Sequence, residues 1–248
     1  MCTVEKRGQI FILTLTGGDE HRLSLDLITR IRSALARIRT DALSSNSSSA
    51  LVTVAEGKFF SNGFDLGFAN AAATQAERAA RLASMVDALA PLLADLLSLP
   101  MPTVAAVTGH AAAAGFMLAL AHDYVAMRSD RGFLYMSELD LGLTLPAYFM
   151  TLMRGKIRDL GLFKKIVMKS GKVMAVEAME KGVVDVVKGS AGETAAAAAA
   201  MAEGLAKRGW NGRVYASIRM GAFPEICRAV GLPEESEEDR RKMFASKL

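Results

Sequence analysis

The sequence predicts an α/β fold followed by a helical C-terminal region, and three observations carry that expectation. Strand-like and helix-like stretches alternate up to about residue 150, the pattern of parallel strands joined by crossover helices. Beyond that point nearly every stretch reads as helix. Two apolar strand-like runs each break at a glycine and lead into a helix, which leaves backbone N–H groups unpaired at the helix start.

The first strand is QIFILTLTG, by its β-branched and aromatic content, and GGDE turns the chain after it. Ser24 is placed to cap a helix, LDLITRIRSALARIR, in which Leu27, Ile31, Ala34, Leu35 and Ile38 share one face. The serine-rich residues 44–49 read as a flexible connection to the strand ALVTVAE. The first glycine loop, GKFFSNGFDL, follows at residues 57–66. Residues 75–97 read as a long helix carrying Arg78 and Arg81. The strand TVAAVTG, the second loop GHAAAAGFML and the strand YVAMRS come next. Farther on, LGLFKKIVM, AVEAMEKG, the alanine run 195–200 and WNGRVYASIRMGAF read as helices, and VVDVV as an extended piece. Alanine is the best helix former, so the alanine run is expected to be a solvent-edged helix without chemistry. The segment PEESEEDRRKMFA, acidic then basic, suits the dipole of a last helix.

At 248 residues, 51% of them apolar, the chain can bury a sizeable core. Its formal charge is +4 with Lys and Arg scattered, so no basic patch points to nucleic acid. Cys2 and Cys227 form neither a disulfide framework nor a metal spacing, and His21, His110 and His122 do not cluster. No metal is expected. Glu5, Lys6 and Arg7 interrupt any signal peptide. Residues 96–122 carry no Asp, Glu, Lys or Arg, yet Pro100, Pro102 and Gly109 divide them. They are expected to be a buried strand–turn–helix rather than a membrane span. The last three residues, Ser246-Lys247-Leu248, match a peroxisomal address read by an import receptor.

The two loops carry motifs. The first holds Phe60-Ser61-Asn62-Gly63-Phe64-Asp65-Leu66; the second runs from Gly109 through Gly115 into a helix ending at Asp123-Tyr124. A lone carboxylate, Glu138, follows in YMSELDLGLTLP. In this order and spacing the chain resembles the crotonase family, the enoyl-CoA hydratases and isomerases, over roughly residues 5–190. The resemblance implies a ββα spiral core, with C-terminal helices that pack on neighbouring subunits in trimers or pairs of trimers. It implies an acyl-CoA substrate and no cofactor beyond the coenzyme A that the substrate carries.

It also implies roles for residues. The backbone N–H groups of Phe64 and Ala114 would form an oxyanion hole for the thioester oxygen. Each such donor contributes about 3 kcal/mol in other enzymes. Ser61, Asn62, Gly63, Asp65 and Leu66 would lie along the coenzyme A, with Gly115 opening the helix, and Phe64 and Met117 are candidates to line the acyl channel. Asp65 can equally serve as a helix N-terminal charge. Family hydratases hold a water between two glutamates; the first position is Met117 here, and a thioether cannot act as a base. The second is Glu138. One glutamate fits the Δ3,Δ2-enoyl-CoA isomerases, where a single base takes a proton from C2 and returns it at C4. SELDLGLTLP is similar to the segment of single-glutamate isomerases, and where other peroxisomal isomerases place their base, near Pro146 and Ala147, no carboxylate stands.

The expectation is therefore a peroxisomal enoyl-CoA isomerase of β-oxidation. Residues 1–190 would form the core and acyl-CoA site, and residues 191–248 a helical oligomerisation region of a homotrimer or hexamer. Another crotonase reaction, such as hydration, and a non-catalytic acyl-CoA-binding role are the alternatives. Asp140, two residues from Glu138, would share its face if the segment were extended. If Glu138 sits in an apolar pocket, its pKa should rise toward neutral pH.

Overall fold

The computed structural model describes all residues except 46, 47, 235, 237, 239, 240, 242, 243 and 246–248. The C-terminal tripeptide, and part of the acidic-then-basic segment before it, lie outside the described residues.

Strands β1 (Cys2–Arg7) and β2 (Ile10–Leu15) pair as a hairpin whose turn uses Gly8 at φ 57°. Strands β3 (Ala50–Ala55), β5 (Thr103–Val107), β7 (Tyr124–Arg128) and β9 (Val186–Lys188) extend it in parallel, giving the order β1-β2-β3-β5-β7-β9. A smaller parallel sheet has the order β4 (Phe59–Ser61), β6 (His110–Ala112), β8 (Leu134–Tyr135). Strand pairs β3–β4, β5–β6 and β7–β8 each give one strand to each sheet and then enter a helix. The ββα unit thus recurs three times and forms the spiral that the resemblance implied.

The sequence had shown no strand at residues 2–7. β1 is a mostly exposed edge strand of charged residues with no apolar run, so only its pairing with β2 defines it. Helix α1 (Leu25–Ser44) starts where expected, the Ser24 Oγ accepting from the Leu27 N–H at 3.2 Å, and buries the expected apolar face. A short helix α2 (Leu66–Asn70) precedes α3 (Gln75–Leu97), whose bounds are those read from the sequence. Then come α4 (Ala114–Leu120), α5 (Ala147–Lys156), α6 (Leu160–Lys169) and α7 (Ala175–Glu180), followed by α8 (Ala191–Ala206), α9 (Gly212–Ala222) and α10 (Pro224–Ala229).

Alternation along the strands sends side chains to two faces. Phe11, Leu13, Leu51, Ala105, Val107, Val125 and Met127 face the main core. Ile10, Ala50, Val52, Val104, Ala106 and Ala126 face the other way, under Ala198, Ala202 and Ala206 of α8. The alanine run is therefore not merely solvent-edged: Ala198 within it is fully covered, on the same helix face as Ala202 and Ala206 beyond it. Small side chains on the sheet and the helix let the two backbones approach closely. Residues 96–122 form a buried strand–turn–helix, with β5 and α4 buried throughout. No helix among the described residues is long and apolar enough to cross a membrane.

A buried ion pair fastens the C-terminal helices to this body. Arg219 on α9 reaches both oxygens of Asp123 at 2.6 Å and also donates to the carbonyls of Leu97, Leu99 and Met101. Asp123 accepts in addition from the Thr103 N–H at 2.9 Å and the Tyr215 hydroxyl at 3.3 Å. Removing one member of such a pair leaves the other charge buried and uncompensated. Arg219→Met is expected to cost about 3–5 kcal/mol, read as a lower urea midpoint at unchanged slope. A loss below about 1 kcal/mol, the range of exposed pairs, would show that α9 is not held by this contact.

Candidate active site

The two glycine loops meet. Gly63 is in the left-handed region at φ 74°, and a Cβ built on it would lie 3.0 Å from the Ala113 Cβ and 3.5 Å from the Ala114 nitrogen. A Cβ on Gly115 would run into the Ser61 carbonyl oxygen and lie 2.6 Å from the Ser61 Cβ. Gly115 has no room for a side chain, and at Gly63 a Cβ would be both tight and strained by the positive φ, so the motifs are steric requirements of the loop-on-loop contact. Ala113 sits at φ 51°, ψ −124°, a conformation that costs an L-residue on the order of 1–3 kcal/mol. It turns the chain abruptly from β6 into α4. Ala114, first in the helix, and Phe64, at the loop tip, donate their N–H groups to no acceptor among the described residues.

Beside them lies a cavity of about 520 Å³. Asn62, Phe64 and Leu66 come from the first loop, Ala113 from the second, Leu82, Ala83, Val86 and Asp87 from α3, and Phe149 from α5. The segment 137–146 supplies Glu138, Leu141, Leu143, Thr144, Leu145 and Pro146. This segment is a turn closed by the Leu141 N–H on the Ser137 carbonyl and the Leu143 N–H on the Glu138 carbonyl. Because it turns rather than extends, Asp140 does not share the face of Glu138: it is exposed and off the cavity wall.

Glu138 is 9% exposed, and its Oε2 is buried without a hydrogen-bond partner. Burial pushes its carboxyl above the ordinary glutamate value of 4.5, opposed by backbone N–H groups of Glu138 and Ser137. The result is a carboxyl that holds a proton more readily than an exposed one, with one oxygen free to take it.

Other residues singled out in the sequence have separate placements. Ser61 is fully buried, its hydroxyl donating to the His21 carbonyl at 2.8 Å. Asn62 donates to Glu20, and Asp65 caps α2 by accepting from the Phe68 N–H at 3.3 Å. Met117 is fully buried in the main core and off the cavity wall. Arg78 donates to Asn70, and Arg81 to Phe68 and Glu77, so both are engaged between α2 and α3. His122 is fully buried between the Leu118 carbonyl and the Thr53 hydroxyl, and burial lowers its pKa to about 4. His110 lies between the rings of Phe59 and Phe133. No cluster of His, Cys, Asp or Glu suited to a metal occurs among the described residues.

Three wall residues had no signal of their own in the sequence. Arg22 brings a guanidinium to the cavity, held by Glu20 at 2.6 Å and directed at the Phe64 carbonyl at 3.4 Å. Val86 was legible only as part of a helix, and Phe149 lay in a stretch with no assigned element.

A free N–H pair next to a partly apolar cavity with one buried carboxylate can receive a carbonyl oxygen and move a proton on the carbon beside it. The family model for enoyl-CoA hydratase/isomerase matches residues 6–215. The chain belongs to the enoyl-CoA hydratase/isomerase family. It is 48% identical over 233 residues to the peroxisomal enoyl-CoA delta isomerase 2 of Arabidopsis thaliana, covering 94% of this chain and 96% of that protein. The peroxisomal enoyl-CoA delta isomerase 1 of the same plant is also 48% identical, over 91% of each chain. Among solved structures, an enoyl-CoA hydratase/isomerase family protein from Pseudomonas syringae superposes with a TM-score of 0.80 at 23% identity, covering 92% of this chain and 93% of that one. An enoyl-CoA hydratase from Mycobacterium marinum gives 0.79 at 21%, covering 92% and 94%. At these identities the structures speak for the shared crotonase fold.

Two outcomes are expected of this site. Gly115→Ala should push the loops apart, lowering stability by about 1–3 kcal/mol by overpacking; wild-type stability in thermal melts would contradict the contact described. Glu138→Gln removes a charge that burial disfavours. A carboxyl with a raised native pKa weakens the native state above its ordinary value and ceases to do so as both states take up the proton. The variant should therefore melt above the wild type at neutral pH, with the gain vanishing as the pH falls below 4.5. A lower melting temperature at neutral pH would mean that the native state favours the ionised carboxylate.

Proposed function

We propose that this chain is a peroxisomal Δ3,Δ2-enoyl-CoA isomerase that moves a 3-enoyl double bond to the 2-trans position, serving β-oxidation of unsaturated fatty acids. The observation that carries the reading is Glu138, the only buried carboxylate on the wall of the cavity. The names of the Arabidopsis relatives support both the reaction and the compartment.

The substrate thioester enters with its carbonyl oxygen toward the Phe64 and Ala114 N–H groups. Glu138 takes a proton from C2, and charge moves through the conjugated system onto the thioester oxygen. The two N–H groups meet that charge without reorganising, because the loops that hold them are locked together. Glu138 then returns the proton at C4. Proton and electron counts close on the substrate itself, so the reaction consumes no water and calls for no cofactor or metal. Met117, buried and apolar where hydratases carry their other glutamate, leaves Glu138 without a partner to hold a water. The backbone of residues 61–66 follows the coenzyme A. The chain works as a homotrimer or hexamer through residues 191–248, and its terminal Ser246-Lys247-Leu248 engages the import receptor.

Incubation with a 3-enoyl-CoA, followed by ultraviolet absorbance of the conjugated 2-enoyl thioester, tests the reading. Wild type should form product, while Glu138→Gln should lose turnover by roughly a hundred- to ten-thousand-fold and still bind acyl-CoA. Full turnover in the variant would end the single-glutamate mechanism. Water addition to a 2-enoyl-CoA in place of isomerisation would make the enzyme a hydratase.

A further inference from the structure

The cavity wall combines exposed and buried residues. Ala83, Asp87, Leu141 and Thr144 on its wall are exposed. Two wall residues alone are buried: Glu138 and Phe149. Phe149 is the deeper, at 1% exposure, and belongs to the main core.

Its ring is held by two other rings. It stacks on Phe64 at 6.2 Å and 25°, and Tyr148 meets it edge-on at 4.9 Å and 86°. The Tyr148 hydroxyl donates to the Val86 carbonyl at 2.8 Å, tying the start of α5 to the helix that forms the opposite wall. The Phe149 N–H donates to the Pro146 carbonyl at 3.0 Å, so the cavity-lining turn leads directly into the ring's own backbone. Around it, Leu82 and Val86 from one turn of α3 and Leu143 and Leu145 from the 137–146 segment make the wall hydrocarbon. A ring packed this way cannot swing aside without losing the stack on Phe64 and the edge contact with Tyr148.

We infer that Phe149 is the specificity-determining residue of this enzyme: its ring is the floor on which the tail of the acyl group ends, and it sets the longest acyl chain that reacts. The inference rests on the acyl-CoA reading given above. An acyl tail short of the ring leaves it untouched. A tail that reaches the ring must stop there, and a longer one can be accommodated only by displacing a side chain stacked on Phe64, whose N–H is one of the two proposed donors. Chain length and oxyanion geometry therefore meet at one side chain.

The test is kcat/KM for straight 3-enoyl-CoAs from hexenoyl to hexadecenoyl, with wild type, Phe149→Leu and Phe149→Ala. Hydrophobic pockets discriminate about tenfold or more per misfitting methylene. Wild type should therefore show a sharp upper length, which Phe149→Leu moves up and Phe149→Ala moves farther, by about tenfold or more in the ratio of long to short substrate. Val86→Phe, which adds volume from the opposite wall, should move the limit down; it keeps the question open to refutation if Phe149→Ala fails to fold. A uniform change at every length, or an unchanged length profile, would overturn the inference. Should wild type turn over no 3-enoyl-CoA, the isomerase reading falls by itself. Calorimetric binding of saturated acyl-CoAs of the same lengths then decides the floor, with the same shift expected and a length-independent affinity against it.

Discussion

Everything in the site depends on two loops touching without side chains between them. The Cα of Gly115 rests against the Ser61 backbone, and Gly63 faces Ala113 and Ala114 at a distance where a methyl group would only just fit. Local sequence does not favour this arrangement: Ala113 accepts a left-handed conformation to achieve it. The surrounding core over-determines it, since Ala111, Ala112, Ala114 and Phe116 are all buried on either side. Two N–H groups are thereby held unpaired and close together in a fixed frame, which is the condition for stabilising charge without solvent rearrangement.

Glu138 has the opposite physical character. It stands on a turn rather than a sheet or helix, and its placement is electrostatically unfavourable. Burial raises its pKa, and one oxygen lacks a partner. A carboxylate that solvation or an ion pair stabilised would be a weaker base for a carbon acid. The turn bonds from Leu141 and Leu143 hold the residue by its backbone, leaving the carboxylate to the cavity. Under the proposed reaction, stability is given up locally at the place where the base must be reactive.

Much of this was legible from the residues. Ser24, the apolar face of α1 and the bounds of α3 follow from capping and periodicity, and the glycines marked both loops. The small sheet was not legible, because β4, β6 and β8 have three, three and two residues and too little length for a two-residue period to show. β1 was hidden by its charges. The cavity wall was hidden for another reason: Arg22, Val86 and Phe149 are far apart in sequence and converge only because α3, α5 and the stretch before α1 pack around the first loop. Asp140 shows the limit of spacing arguments, since its expected kinship with Glu138 assumed an extended chain where the segment turns. The alanine run shows that composition gives a helix but not what covers it.

The Asp123–Arg219 pair connects the far end of the fold to the site. Helix α4 has only seven residues, with the Ala114 N–H at its start and His122-Asp123 just past its end. The start is fixed by the glycine contacts. The end is fixed by Arg219 on Asp123, and by Lys156, whose ammonium donates to the His122 carbonyl at 3.2 Å and lies 4.3 Å from the centre of the Phe223 ring. Burial holds that lysine below the usual range, so the contact is made at a desolvation cost. A short, wholly buried helix pinned at both ends cannot slide or tilt without breaking one of the two anchors. The C-terminal helices therefore do more than cover the sheet: Arg219 of α9, together with Lys156 of α5, sets the axial position of the element that carries one of the two proposed donors.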